Sequence, residues 1–184
     1  ACSTTGSSTI AIGACAGQKS CDSAYSIFIG NYAGKGVANC CNRQNVFVGN
    51  ISGCRIQTGK YNAAFGTGSL SGTTTGSGNV AVGDYAGYNI TTGGCNTILG
   101  RCAGDNLISG SRNIAIGLGV DLPSQTGDDQ FIIGCYGSWW IKGDSNFNVY
   151  DKDGNSFGFG PDSQENLYAG TDAGNSSDAD TYCN

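Results

Sequence analysis

Histidine and methionine are absent from this chain, proline occurs only twice in 184 residues, and charged residues make up just 12%. Without His, the Ser-His and Cys-His pairings that activate most nucleophiles cannot be built. No nucleophile-lysine signature takes their place. The dispersed aspartates, Asp128 and Asp129 among them, sit in turn sequences, where Asp serves local hydrogen bonding rather than paired-carboxylate chemistry. The expectation is a protein that is not an enzyme and holds no cofactor. No apolar run is long enough to span a bilayer and no signal peptide can be read, so membrane insertion is not expected. The missing Met marks Ala1 as the end of a processed chain or of a fragment.

What is abundant is glycine, with 32 residues, and cysteine, with ten. Ten Cys with neither His nor CxxC pairs argue against a zinc site and for disulfides in an oxidising, extracellular setting. The pI of 4.4 makes nucleic acid an unexpected partner. Charge is unevenly spread. Residues 1–120 carry seven Lys+Arg against three Asp+Glu, a net of +4, and residues 121–184 carry two against eleven, a net of −9.

The strongest signal is a repeat. Segments of the form apolar-x-apolar-Gly place glycines at Gly13, Gly30, Gly49, Gly66, Gly83, Gly100, Gly117 and Gly134, in steps of 17, 19, 17, 17, 17, 17 and 17. Such constancy predicts a solenoid whose coils stack one on the next. Two columns flank the middle of the implied strand. One runs Ile10, Ile27, Val46, Ala63, Val80, Thr97, Ile114, Phe131, and the other Ile12, Ile29, Val48, Phe65, Val82, Leu99, Ile116, Ile133. Lying two residues apart, they share one face, and their size and apolarity assign that face to the inside of the coil. The middle column, Ala11, Phe28, Phe47, Ala64, Ala81, Ile98, Ala115 and Ile132, then points outward as an apolar stripe for lateral packing against other copies.

Just before the strand stand Asn45, Asn62, Asn79, Asn96 and Asn113, with Thr9, Ser26 and Gln130 in the other copies. Stacked amides at a spacing of about 4.8 Å predict an asparagine ladder holding a turn. A second glycine column, Gly6, Gly59, Gly76, Gly93, Gly110 and Gly127, lies seven residues before the strand glycine and calls for φ > 0 or close backbone approach. A second short strand is expected after the first, as in Tyr32-Ala33-Gly34, Tyr85-Ala86-Gly87 and Cys102-Ala103-Gly104.

The segments Asn79 to Gly83 with Tyr85 to Gly87, and Asn113 to Gly117, resemble the repeats of phage tail fibres and of the heads of trimeric autotransporter adhesins. The resemblance covers about residues 5–134. It implies parallel β-rolls, three chains side by side, reaching toward host surfaces. The ten cysteines and the 17-residue coil depart from both families.

The fold class is thus all-β, a parallel β-solenoid or β-roll over 1–134, then an irregular β-hairpin and capping region over 135–165. Over 166–184 the signature resumes at Asn166 to Gly170 before a partial coil. Within the middle region Asp151, Asp153 and Asn155 offer oxygen ligands to a metal, but turn chemistry alone accounts for them. Trp139 and Trp140 read either as a sugar-stacking platform, with surface glycans the external partner, or as rings buried under the end of the solenoid, and the area at stake favours burial. N-glycosylation sequons at Asn50, Asn89 and Asn175 occur about as often as composition alone gives. A flat Thr array for binding ice is not expected, since the Thr column is a single row beside a turn glycine.

For the cysteines, Cys21 and Cys40 share a column and form the first disulfide choice, with Cys2 competing. Cys41 with Cys54, and Cys95 with Cys102, come second because their columns differ. The expected function is a structural subunit or segment of an extracellular fibre whose partner is itself, laterally as a trimer and head to tail as a polymer. The head-to-tail joint follows from apparent partial coils at both ends and from the opposite charge of the two portions, with Cys183 placed to link copies. The alternative is a receptor-binding adhesin or viral tail-fibre shaft.

Overall fold

The computed structural model describes residues 8–19, 22–37, 41, 43–144, 146 and 148–155. Among them there is no helix, and ten strands form one sheet in chain order: β1 (Ile10–Ile12), β2 (Ile27–Ile29), β3 (Val46–Val48), β4 (Ala63–Phe65), β5 (Val80–Val82), β6 (Thr97–Leu99), β7 (Ile114–Leu118), β8 (Phe131–Cys135), β9 (Ser138–Gly143) and β10 (Val149–Asp151). From β1 to β8 the pairing is parallel and in register with the repeat, Ala64 facing Ala81 and Ala81 facing Ile98. The chain is a β-solenoid with coils of about 17 residues. β9 then folds back antiparallel on β8, and β10 antiparallel on β9. Cys2, Cys21, Cys40, Cys183, Asn175 and the whole of 166–184 lie outside the described residues.

The pleat has the opposite phase from the one expected. Phe28, Phe47, Ala64, Ala81, Ile98 and Ala115 are fully buried and Ile132 nearly so, whereas Phe65, Val82 and Ile114 on the flanking columns are each 43% exposed. The middle column is the core, and the flanking columns face out. Ala11 is the exception, exposed on the first strand. The reason lies one residue upstream. Asn45, Asn62, Asn79, Asn96 and Asn113 are buried, and a residue two positions along a strand shares their face, so Phe47, Ala64, Ala81, Ile98 and Ala115 must point inward with them.

Each coil contributes one short strand, and the rest is turn. The second strands expected at Tyr32–Gly34, Tyr85–Gly87 and Cys102–Gly104 are turns, with the central Ala33, Ala86 and Ala103 buried. Opposite the strand, Ile56, Ile90 and Leu107 supply the other core wall, and the column's remaining member is Thr73. Where that wall is thinned by Thr73, Leu70 turns inward from a position that is glycine in neighbouring coils (Gly53, Gly87) and is itself fully buried. The Thr73 hydroxyl is buried without a hydrogen-bond partner.

The corners carry unusual backbone. The residue before each ladder position is left-handed, including Tyr25, Gln44, Tyr61, Cys95, Arg112 and Asp129, and so is the second residue after the strand glycine in Cys15, Tyr32, Ile51, Tyr85 and Cys102. Each costs about 1 kcal/mol or more, which the stacking of neighbouring coils must offset.

Candidate functional site

Two features run the length of the solenoid, a buried polar ladder and an exposed apolar face. In the ladder, Asn62 uses its whole side chain. Its Oδ1 accepts from the Asn79 backbone N–H at 3.0 Å and from Asn79 Nδ2 at 3.1 Å. Its Nδ2 donates to Asn45 Oδ1 at 3.1 Å and to the Gly76 carbonyl at 2.9 Å. Asn79 repeats the pattern toward Asn96 and Gly93. Both lone-pair sites and both N–H groups are therefore satisfied, the condition for burying an amide. The ladder begins on a hydroxyl, with the Asn45 N–H donating to Ser26 Oγ. It ends on Gln130, which accepts from the Ser124 N–H and donates to the Ser124 and Gly127 carbonyls of its own coil. The longer side chain turns back where the strand that follows β8 in the sheet is the antiparallel β9 and not another parallel coil.

The same contacts explain the second glycine column. Gly59, Gly76, Gly93, Gly110 and Gly127 are the residues whose carbonyls accept from the ladder. None of them has positive φ. At Gly59, Gly76, Gly93 and Gly110 an added Cβ would run into the carbonyl oxygen of the glycine one coil on. Close approach, not a left-handed conformation, requires glycine there.

The apolar face is the outward side of the sheet: two rows, from Ile10 to Phe131 and from Ile12 to Ile133, across eight strands at about 4.8 Å spacing, roughly 34 Å long. Ile10, Ile12, Ile29, Phe65, Val80, Val82 and Ile114 are all at least 36% exposed. The lateral contact expected of Ala11, Phe28, Phe47, Ala64, Ala81, Ile98, Ala115 and Ile132 is therefore corrected: apart from Ala11 these side chains are inside their own coil, and their neighbours on either side form the surface.

The described cysteines, Cys15, Cys41, Cys54, Cys95, Cys102 and Cys135, are free. Neither second-choice disulfide forms. Cys95 and Cys102 stand in turns on opposite ends of β6, and three extended residues span about 10 Å, beyond the roughly 5.5 Å that a disulfide bridges. Cys54 instead sets its Sγ 3.2 Å from Ser71 Oγ in the next coil.

Asp151 accepts from the N–H groups of Asp153 and Asn155 at 2.9 and 2.8 Å and from Asn155 Nδ2 at 3.0 Å, a closed turn that holds its carboxyl below the usual range. Asp144 is bound in the same way by Asn146 and Asn148. Among the described residues no cluster of His, Cys, Asp or Glu is arranged for a metal ion. The tryptophans divide. Trp139 packs against the core with Lys142 Nζ 4.2 Å from its ring centroid, and Trp140 is 65% exposed. Of the sequon asparagines, Asn50 and Asn89 are exposed, and Asn89 Nδ2 donates to the Asp105 carbonyl.

Asp105 and Asp121, on adjacent coils, face each other. Partial burial, and then the charge of Asp121, push the Asp105 carboxyl up. A carboxyl whose folded pKa is raised destabilises the fold above that pKa and ceases to do so as pH falls through it. Asp121→Asn should therefore raise the melting temperature at pH 7 and leave it unchanged near pH 3, which paired thermal melts would read. An equal rise at both pH values would place the effect elsewhere.

Comparison with family models, with curated proteins and with solved structures finds no match to this chain.

Proposed function

We propose that the chain is a non-catalytic structural subunit or segment of an extracellular fibre, assembling with copies of itself. The observation that carries this reading is the outward sheet face, two apolar rows interrupted only by Thr97 along a solenoid whose coils step by 17 residues, with one step of 19. An exposed apolar strip of this length is a surface for association, and a repeating strip is matched best by another copy with the same pitch. Lateral packing here buries the flanking rows and leaves the ladder untouched. Three-fold packing is the arrangement implied by the resemblance to tail-fibre and adhesin repeats, and the adhesin or tail-fibre shaft is the second reading. It is less favoured because, among the described residues, Trp140 pairs with no other aromatic ring, which makes it a poor receptor platform.

The test is purification of the chain followed by electron microscopy and mass measurement in solution. Uniform fibres or a defined oligomer are expected. The double variant Val82→Asp and Ile114→Asp should reduce the lateral assembly to single solenoids without loss of β-structure. Wild-type protein that stays monomeric at high concentration would sink the fibre reading, and unchanged oligomer mass in the double variant would sink the lateral face.

A further inference from the structure

We infer that the fibre grows by parallel pairing of β10 of one copy with β1 of the next, in the register Val149 to Ile10, Tyr150 to Ala11 and Asp151 to Ile12. The inference rests on the fibre reading above and supplies its head-to-tail joint.

The argument begins with direction. β9 reverses the sheet and β10 reverses it again, so β10 runs in the same sense as β1 to β8. Had the chain stopped at β9, its outer edge would have met a second copy antiparallel. With β10 added, both outer strands of the sheet among the described residues, β1 and β10, have the polarity of the repeat, and both are three residues long.

Next come the backbone groups. The Ile10 N–H donates to the Ser26 carbonyl and the Ile12 carbonyl accepts from the Gly30 N–H. Ile10 and Ile12 therefore turn toward β2, and by alternation Ala11 turns its N–H and C=O to the open side. At the other edge the Asp144 N–H donates to the Asn148 carbonyl. In the β9–β10 ladder that makes Lys142 and Tyr150 the next hydrogen-bonded pair, and Val149 faces the open edge. The Asp151 N–H is taken by the Asn155 carbonyl, so Val149 is the strand's free donor and acceptor. In parallel pairing, the Ala11 N–H of one copy reaches the Val149 carbonyl of its neighbour, and the Val149 N–H reaches the Thr9 carbonyl, so a proline at either position removes one bond of the joint.

The side chains agree with that register. The sheet places Ile132 beside Lys142 and Lys142 beside Tyr150, so Tyr150 continues the core column that begins at Ala11. Lys142 Nζ lies 5.8 Å from the Tyr150 ring centroid on that same side. Ala11 is exposed, whereas its equivalents from Phe28 to Ile132 are buried. Tyr150 of one copy would thus cover Ala11 of the next, a large ring over a small side chain, as Phe47 lies over Ala64 within the core. The excess of positive charge in residues 1–120 and of negative charge beyond them favours this polarity of encounter.

The experiment uses the full chain carrying Ala11→Pro or Val149→Pro. Proline removes an N–H that points away from the existing sheet, a change tolerated on edge strands, so circular dichroism and melting temperature should stay near wild type. Each variant alone should fail to elongate, with the critical concentration raised at least 100-fold. Mixed in equal amounts, they should give heterodimers and nothing longer, because each retains the edge that the other lacks. Tyr150→Ser, which leaves the backbone intact, should raise the critical concentration about tenfold. Filaments of wild-type length from Ala11→Pro, or a mixture without heterodimers, would overturn the joint while the fibre reading stands. Wild-type protein that never elongates would overturn both.

Discussion

Ala81→Asp should abolish folding of the chain, whereas Val82→Asp, one residue along the same strand, should leave the isolated solenoid within about 1 kcal/mol of wild type. Ala81 is fully buried in β5, between Ala64 and Ile98 of the adjacent strands, and Val82 is 43% exposed on the opposite face. A carboxylate at position 81 would lose its hydration among apolar neighbours. It would also be larger than the methyl that it replaces in a column only one strand spacing from its neighbours. Unpaired buried charge and overpacking each cost several kcal/mol, which together approach the 5–15 kcal/mol that stabilises an ordinary domain. Urea denaturation followed by circular dichroism would measure both variants. A folded Ala81→Asp protein with wild-type stability would mean that the pleat has the other phase, with the flanking rows inside.

That phase is what the sequence conceals, although the period is plain. Strict spacing of strand glycines makes the coil length and parallel register readable, because in-register stacking of equal coils is the only arrangement that puts Gly66 beside Gly83 and Gly83 beside Gly100. The alternation within each strand is equally readable. Which side is inside is not, since Val80 and Val82 are larger and more apolar than Ala81, and hydrophobicity alone assigns them to the core. The deciding residue is Asn79. An amide that bonds the coils above and below must be shielded from water to hold its place in a ladder, and it shares its face with Ala81.

The second core wall was also present in the sequence. Ile56, Thr73, Ile90 and Leu107 are spaced at a constant 17 residues, but they lie in turn-rich segments where no strand alternation draws attention to them. The compensation of Thr73 by Leu70 is a packing event, visible only once the coils are stacked. The antiparallel return at β9 is marked by loss of the 17-residue spacing after Gly134 and by Tyr136-Gly137 between two apolar runs. The same-sense arrangement of β1 and β10 has no signature in composition or spacing. It follows from counting reversals of the sheet.

The ladder makes the second large prediction. Asn79→Leu should destabilise the chain by roughly 3–9 kcal/mol, because it leaves three buried polar groups without partners at about 1–3 kcal/mol each. The Gly93 carbonyl loses the Asn79 Nδ2 donor, and the Asn96 backbone N–H and one Nδ2 proton lose the Asn79 Oδ1 acceptor. The Asn79 backbone N–H still donates to Asn62 Oδ1, so damage propagates toward the C-terminal coils more than toward the N-terminal ones. Asn79→Asp separates the two halves of the amide's role. It keeps an acceptor for Asn96 but sets a carboxylate oxygen against the Gly93 carbonyl and Asn62 Oδ1, where Nδ2 had donated. Burial and those two acceptors should raise the folded pKa of the new carboxyl. Its destabilisation is then full at neutral pH and declines as pH falls through that raised pKa, when the protonated acid can donate one of the lost bonds. Gln130→Ala should cost less than Asn79→Leu, because Asn113 Oδ1, to which Gln130 Nε2 donates at 3.3 Å, still accepts from the Gln130 backbone N–H, and no further ladder residue among those described depends on Gln130. Urea titrations at pH 7 and pH 4, with amide exchange measured coil by coil, would test the series. Asn79→Leu within 1 kcal/mol of wild type, or Asn79→Asp more stable at pH 7 than at pH 4, would show that the stack is held by apolar packing alone.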